Sequence, residues 1–151
     1  MFMTEKILIA SDHAGFNLKE KIKPFLLKKN LEIIDLGTCS KDRCDYPKFA
    51  FVLAQKISAG KFKRGILICK TGIGNSIMAN RLRGVRAALA YNVKAARLSR
   101  EHNDSNVLVL GSAFVNKNLA EKIINTWLKT RFAGGRHLKR LNLIKRLERE
   151  A

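Results

Sequence analysis

Short runs of apolar, β-branched residues alternate along this chain with longer stretches whose apolar positions recur every three or four residues. Ile7-Leu8-Ile9-Ala10 reads as a buried strand. Residues 17–29 follow as a helix, with Leu18, Ile22, Phe25 and Leu26 on one face; Pro24 inside it predicts a kink or an early stop. Residues 32–36 form the next strand, closed by Gly37. A polar loop over 38–45 leads to a helix opening near Pro47, since proline suits a first turn. Residues 65–69 are a third apolar strand, entering the turn Thr71-Gly72-Ile73-Gly74 and a helix through about Arg83. Residues 85–90 and 107–110 give strands four and five. A short helix over 93–100 lies between them, and a helix over 118–130 comes after.

Strands separated by helices imply right-handed crossovers and a parallel sheet covered on both faces. The expected fold is a three-layer α/β/α sandwich of the doubly wound, Rossmann-like kind around five parallel strands. Ligands of such sheets sit beyond the carboxyl ends of the strands. That points to Ser11 to Gly15, Cys69 to Ser76, Tyr91-Asn92 and Gly111 to Ala113. One domain over 1–151 suits this length. Gly134-Gly135 breaks the last long helix, and residues 133–151 form a tail with Leu138, Leu141, Ile144 and Leu147 at helical spacing. An apolar stripe on a short tail needs cover, which favours packing on a second subunit over a free tail.

Composition narrows the class. The 151 residues are 46% hydrophobic, enough for a real core, and no apolar run is long enough to span a bilayer. Residues 1–6 lack the features of a secretory signal, so the expectation is a soluble cytoplasmic protein. Cys39, Cys44 and Cys69 suit a reducing compartment, and no histidine completes a zinc-ligand spacing with them. The formal net charge of +18 attracts polyanions, whether nucleic acid, acidic lipid or phosphorylated metabolites, or reflects adaptation to the host cytoplasm. Aromatics are only 7% and do not interleave with basic residues, which argues against a nucleic-acid-binding module.

Cys69 ends a strand where turn amides and a helix start converge. Those groups stabilise a thiolate and lower its pKa, as would Lys70 if its ammonium turned inward. The alternative is a small buried hydrophobe. The glycine turn lacks the lysine and hydroxyl of a nucleotide-hydrolase loop and the dinucleotide fingerprint, so no nucleotide cofactor is expected. Asp12-His13 follows the first strand and His102-Asn103-Asp104 precedes the fifth. Two histidines expected at the same sheet edge could move protons near neutral pH. Arg136 and Arg140 share a helix face and suit a phosphate dianion, or else form a solvated basic face.

Several segments in order carry a resemblance: Ser11-Asp12-His13-Ala14-Gly15-Phe16, Asp35-Leu36-Gly37-Thr38, Asp45-Tyr46-Pro47 and Ile68-Cys69-Lys70-Thr71-Gly72-Ile73-Gly74. Leu98-Ser99-Arg100-Glu101-His102-Asn103-Asp104, Asn106-Val107-Leu108 and Gly134-Gly135-Arg136-His137 continue it. Over nearly its whole length the chain resembles ribose-5-phosphate isomerase B and its relatives, the family that includes galactose-6-phosphate isomerase subunits. The resemblance implies an isomerase that interconverts ribose 5-phosphate and ribulose 5-phosphate without a metal or other cofactor. It gives Cys69 the role of the base moving a proton between C1 and C2. Thr71 and the amides of Gly72, Gly74, Asn75 and Ser76 become the cradle for the enediolate. His102 becomes the acid and base that opens the furanose ring. Asp12 and Asn103 would hold sugar hydroxyls, Tyr46 would border the site, and His13, Arg136 and Arg140 would bind phosphate. The last two reach the site of a neighbouring subunit in this family, so a homodimer or homotetramer with shared sites is implied.

Three positions depart from the family pattern. Lys70 stands where glycine is usual, Ala113 where many relatives carry an arginine, and Asn75 where a cysteine-lacking branch carries a glutamate base. Asn75 cannot act as a base, which favours Cys69. A hexose 6-phosphate such as galactose or allose 6-phosphate is the alternative substrate, with the same chemistry.

Overall fold

The hand of parallel crossovers decides on which face each helix lies. The computed structural model describes residues 3–151. Among them, β1 (Glu5–Ser11), β2 (Leu31–Asp35), β3 (Gly65–Cys69), β4 (Ala87–Leu89) and β5 (Val107–Gly111) form one parallel sheet, ordered β2-β1-β3-β5-β4. The helices are α1 (Phe16–Leu27), α2 (Tyr46–Ser58), α3 (Ile73–Ala79), α4 (Val93–Glu101), α5 (Lys117–Lys129) and α6 (Arg136–Glu150). The steps β1 to β2 and β4 to β5 run one way across the sheet, and β2 to β3 and β3 to β4 run the other. Right-handed connections therefore place α1 and α4 on one face and α2 and α3 on the opposite one.

The side chains follow that division. Ile7 and Ile9 of β1, Ile66 and Ile68 of β3, and Leu108 and Leu110 of β5 pack with α1, α4 and α5. Leu8, Ala10, Leu67, Val107 and Val109 point the other way, into the core under α2 and α3. A strand covered on both faces has no polar side, which is why these runs are continuously apolar. The indole of Trp127 is fully buried and donates to Ser105 Oγ at 2.8 Å, closing the α5 side.

Several boundaries differ from the sequence expectation. Pro24 neither stops nor shortens α1 at its own position: its ring lies on the solvent side and the helix continues to Leu27. α3 ends at Ala79 instead of running through Arg83, where a tight turn takes over with Val85 N donating to Leu82 O at 3.1 Å. β4 is only Ala87–Leu89, because the preceding Arg86 is held from the side by Asn106 Oδ1 at 2.8 Å. The tail is helical as its spacing suggested. α6 leaves Leu138, Leu143, Ile144 and Leu147 about half exposed.

Candidate active site

The chain leaves β1 toward β2 on one side and β3 toward β4 on the other, so a crevice opens between the carboxyl ends of β1 and β3. Asp12 and Cys69 sit there, both buried. Asp12 Oδ1 accepts from the Gly15 amide at 2.9 Å, fixing the first turn. Cys69 Sγ accepts from the Gly72 amide at 3.1 Å. Gly72 has φ 82°, in the left-handed region that favours glycine, and a Cβ there would strike Leu89 Cδ1. Tyr91, just past β4, donates from its hydroxyl to Thr71 O at 2.8 Å and pins the turn from above. Thr71 Oγ1 accepts from the Ile73 amide at 3.2 Å.

The expected fall in the Cys69 pKa is not what these surroundings produce. Burial pushes the thiol up, the amides of Asn75, Gly72 and Thr71 pull it down, and the Asp12 carboxylate adds to the rise. Burial wins, so the free thiol is held above its ordinary value. Lys70 does not turn inward; it is exposed. Asn75 is buried, and neither end of its side-chain amide has a hydrogen-bond partner. Ser76 follows it on α3, half-buried, its amide donating to Gly72 O at 3.0 Å. Tyr46 opens α2 with its ring packed over Gly74, where any Cβ would collide with it.

His13 Nδ1 lies 3.1 Å from the carbonyl and 3.2 Å from the amide of Cys44, so either tautomer finds a backbone partner on the 38–45 loop. That loop is held by a residue that sequence reasoning missed. Lys19 of α1 is fully buried and donates to Asp35 Oδ1 at 2.7 Å and to Thr38 O at 2.6 Å. Its signal was a lysine one position from Leu18 and three from Ile22, at the edge of an apolar stripe. Burial works against ionised Asp35, but hydrogen bonds from Lys19 and Lys23 outweigh it and hold the carboxyl below its ordinary range. Ser112 Oγ donates to Ala14 O at 2.9 Å, tying the β5 turn to the β1 turn.

His102 and Asn103 do not join this group, and His13 and His102 are not at one sheet edge. α4 starts at the carboxyl end of β4 and runs back, so His102, which caps its far end, lies at the amino end of the sheet. Val107 of β5 pairs with Gly65, whereas Gly111 pairs with Cys69, and roughly 13 Å of strand separates those rows. Asn103 is anchored at the same end, its carbonyl accepting from Arg86 Nε at 3.1 Å. The His137 ring stacks on His102 with centroids 4.2 Å apart and planes 12° from parallel. Desolvation, then the charges of His102, Arg136 and Arg140, hold His137 below its ordinary pKa. Arg136 and Arg140 stand exposed on α6 beside it. The sequence-derived residues thus fall into two clusters at opposite ends of the sheet. Asp12, His13, Tyr46, Cys69 and residues 71–76 form one; His102, Asn103, Arg136 and Arg140 form the other.

Comparison with known proteins decides the kinship. Residues 7–144 match the family described as Ribose/Galactose Isomerase. The chain belongs to that family. Within it, the chain is 45% identical over 140 residues to a putative sugar phosphate isomerase of Bacillus subtilis, covering 92% of this chain and 94% of that protein. It is 44% identical over 144 residues to ribose-5-phosphate isomerase B of Escherichia coli, covering 95% and 97%. The fold superposes on ribose-5-phosphate isomerase B of Mycoplasma genitalium, solved with bound ribulose-5-phosphate, with TM-score 0.94 and 43% identity over 99% of this chain and 100% of that one. The Clostridium thermocellum enzyme gives TM-score 0.93 at 48% identity, covering 96% and 98%. Family membership makes the chain a sugar-phosphate isomerase.

Proposed function

We propose that the chain interconverts D-ribose 5-phosphate and D-ribulose 5-phosphate, with Cys69 as the base. The main support is the buried sulfur at the β1/β3 crevice, ringed by backbone amides, in a fold shared with a relative that carries ribulose-5-phosphate. Cys69, as thiolate, takes the proton from C2 of the open-chain aldose. The electron pair moves into a C1–C2 double bond and charge develops on the carbonyl oxygen. The same sulfur returns the proton to C1 as the C2 hydroxyl proton passes to the C1 oxygen and the ketone forms at C2. Amides of Gly74 and Asn75, with the Thr71 hydroxyl, face the developing oxyanion, while the Gly72 amide holds the sulfur and the Ser76 amide closes the first turn of α3 on Gly72 O; preorganised donors of this kind supply much of an enzyme's barrier reduction. No metal or cofactor enters the scheme.

Ring opening falls to His102, sugar hydroxyls to Asp12 and Asn103, and phosphate to His13, Arg136 and Arg140. Because the two clusters lie at opposite ends of one chain, each site combines the Cys69 cluster of one subunit with the His102 cluster of its neighbour. The half-exposed apolar residues of α6 then pack on that neighbour. Residues 1–151 act as one catalytic domain whose segment 133–151 lies at the interface, in a homodimer or a larger assembly.

Turnover on ribose 5-phosphate, compared with galactose and allose 6-phosphates, tests the substrate. The pentose is expected to give the higher kcat/KM by at least about tenfold, a difference of about 1.4 kcal/mol in transition-state binding. Preference for a hexose phosphate would move the substrate assignment while keeping the chemistry. Cys69→Ala is expected to abolish isomerisation while phosphate binding persists.

A further inference from the structure

Strand parity and helix pitch bring one more side chain to the Cys69 sulfur. Side chains alternate across a strand, so Cys69 projects with Leu67 into the layer under α2 and α3. Ser11, whose hydroxyl lacks a partner, shares the parity of Ile7 and Ile9 and faces the opposite layer. The buried residues of α3 are Asn75 and Ala79, one turn apart on a single stripe. Ala79 packs in the core on the Cys69 side of the sheet, and Asn75 stands one turn nearer the strand ends. A helical Cβ tilts toward the helix N-terminus, which carries the Asn75 carboxamide toward the turn after β3. The backbone amide of Asn75 already helps to hold the sulfur there.

Asn75 is 1% exposed, and neither its Oδ1 nor its Nδ2 has a hydrogen-bond partner. Polar side chains bordering the crevice are engaged within the fold: Asp12 Oδ1 accepts from Gly15 N, the Tyr91 hydroxyl donates to Thr71 O, and Ser112 Oγ donates to Ala14 O. A desolvated amide without partners destabilises a chain, and leucine would fill the same volume without that penalty. What suits this amide is a ligand that offers an acceptor and a donor on neighbouring atoms. An open-chain aldose does so: O1 is a carbonyl oxygen that gains charge when C2 loses its proton, and O2 is a hydroxyl. We propose that the Asn75 side chain is a further catalytic residue, its Nδ2 donating to O1 and its Oδ1 accepting from the O2 hydroxyl. The bond to O1 strengthens as that oxygen becomes anionic, so it favours the enediolate over the bound sugar. Holding O1 and O2 side by side also selects the cis enediolate and lines up the passage of the O2 proton to O1. This assignment rests on the sugar-phosphate reading given above.

Steady-state turnover of ribose 5-phosphate and urea unfolding of the full-length protein test it together. Asn75→Leu is expected to lower kcat about a hundredfold, the usual loss for one oxyanion donor, with KM within about threefold of the parent. The same variant is expected to unfold at a higher urea midpoint than the parent, because the unpartnered amide is gone. Activity that falls while stability rises marks a group kept for the substrate; a structural role lowers both. Asn75→Asp donates to O1 only while its carboxyl is protonated, so its kcat relative to the parent falls as pH rises. A kcat for Asn75→Leu within about threefold of the parent overturns the role. So does a loss of activity accompanied by a lower urea midpoint, or a pH-independent ratio for Asn75→Asp. If the parent fails to isomerise ribose 5-phosphate, the pentose reading falls alone. The same ratios on galactose or allose 6-phosphate then decide Asn75, since every aldose presents O1 and O2 in the same way.

Discussion

Cys69 carries two opposing demands. In the proposed mechanism burial protects the enediolate from water but disfavours the thiolate that starts the reaction, and here burial outweighs the amides around the sulfur. Alkylation of the free protein by iodoacetamide, followed on the Cys69 peptide by mass spectrometry, should therefore rise with pH to an inflection above that of an ordinary thiol, about 8.5. The sign follows from the direction of the shift: a raised pKa leaves the reactive anion scarce at neutral pH and plentiful only above the ordinary value. A plateau already reached at pH 7 would contradict it. Asn75 is a second residue-scale signature. A buried amide with both ends unpartnered is rare in folded chains, and here it sits on the helix whose backbone faces the sulfur.

At the scale of elements, α1 and the end of β2 are fastened by Lys19. Breaking a fully buried charge pair costs about 3–5 kcal/mol; here Asp35 is partly exposed and keeps Lys23 at 2.9 Å, so the loss is no larger than the lower end of that range. Lys19→Met should lower unfolding stability by about 3 kcal/mol, measured by urea denaturation, and should weaken the acid sensitivity that Asp35 confers. Asp35, its pKa held down in the folded state, contributes stability above its ordinary carboxylate range that is lost as pH falls through the depressed value. A Lys19→Met protein as stable as its parent would show that the clamp is dispensable. Most of this architecture was legible in the chain. Continuous apolar runs marked strands buried on both faces, and the 3.6-residue spacing marked the helices. The carboxyl-edge rule found Asp12 and Cys69. What the sequence hid were consequences of three-dimensional order. A buried Lys19 looks like any lysine on a helix flank, and β4 shortened because Asn106 captures Arg86 from outside its own segment. The thiol's direction of shift depends on burial depth, which spacing does not report. The position of His102 was misread because a histidine shortly before a strand lies at its amino end, opposite the histidine that follows β1.

For the whole molecule, the proposed function joins the two clusters, which lie at opposite ends of one sheet, across a pair of subunits. In the proposed site Cys69 of one subunit works with Arg136 of another, a pairing that mixed variants put to the test. Cys69→Ala and Arg136→Ala proteins are each expected to be inactive or severely impaired. After equal mixing and verified subunit exchange in a dimer, half of the molecules are hybrids, and each hybrid contains one intact site and one doubly defective site. Ribulose 5-phosphate formation should recover to about a quarter of the parental rate. A mixture that exchanges completely yet stays at the level of its two components would place Cys69 and Arg136 in the same subunit's site and contradict the account.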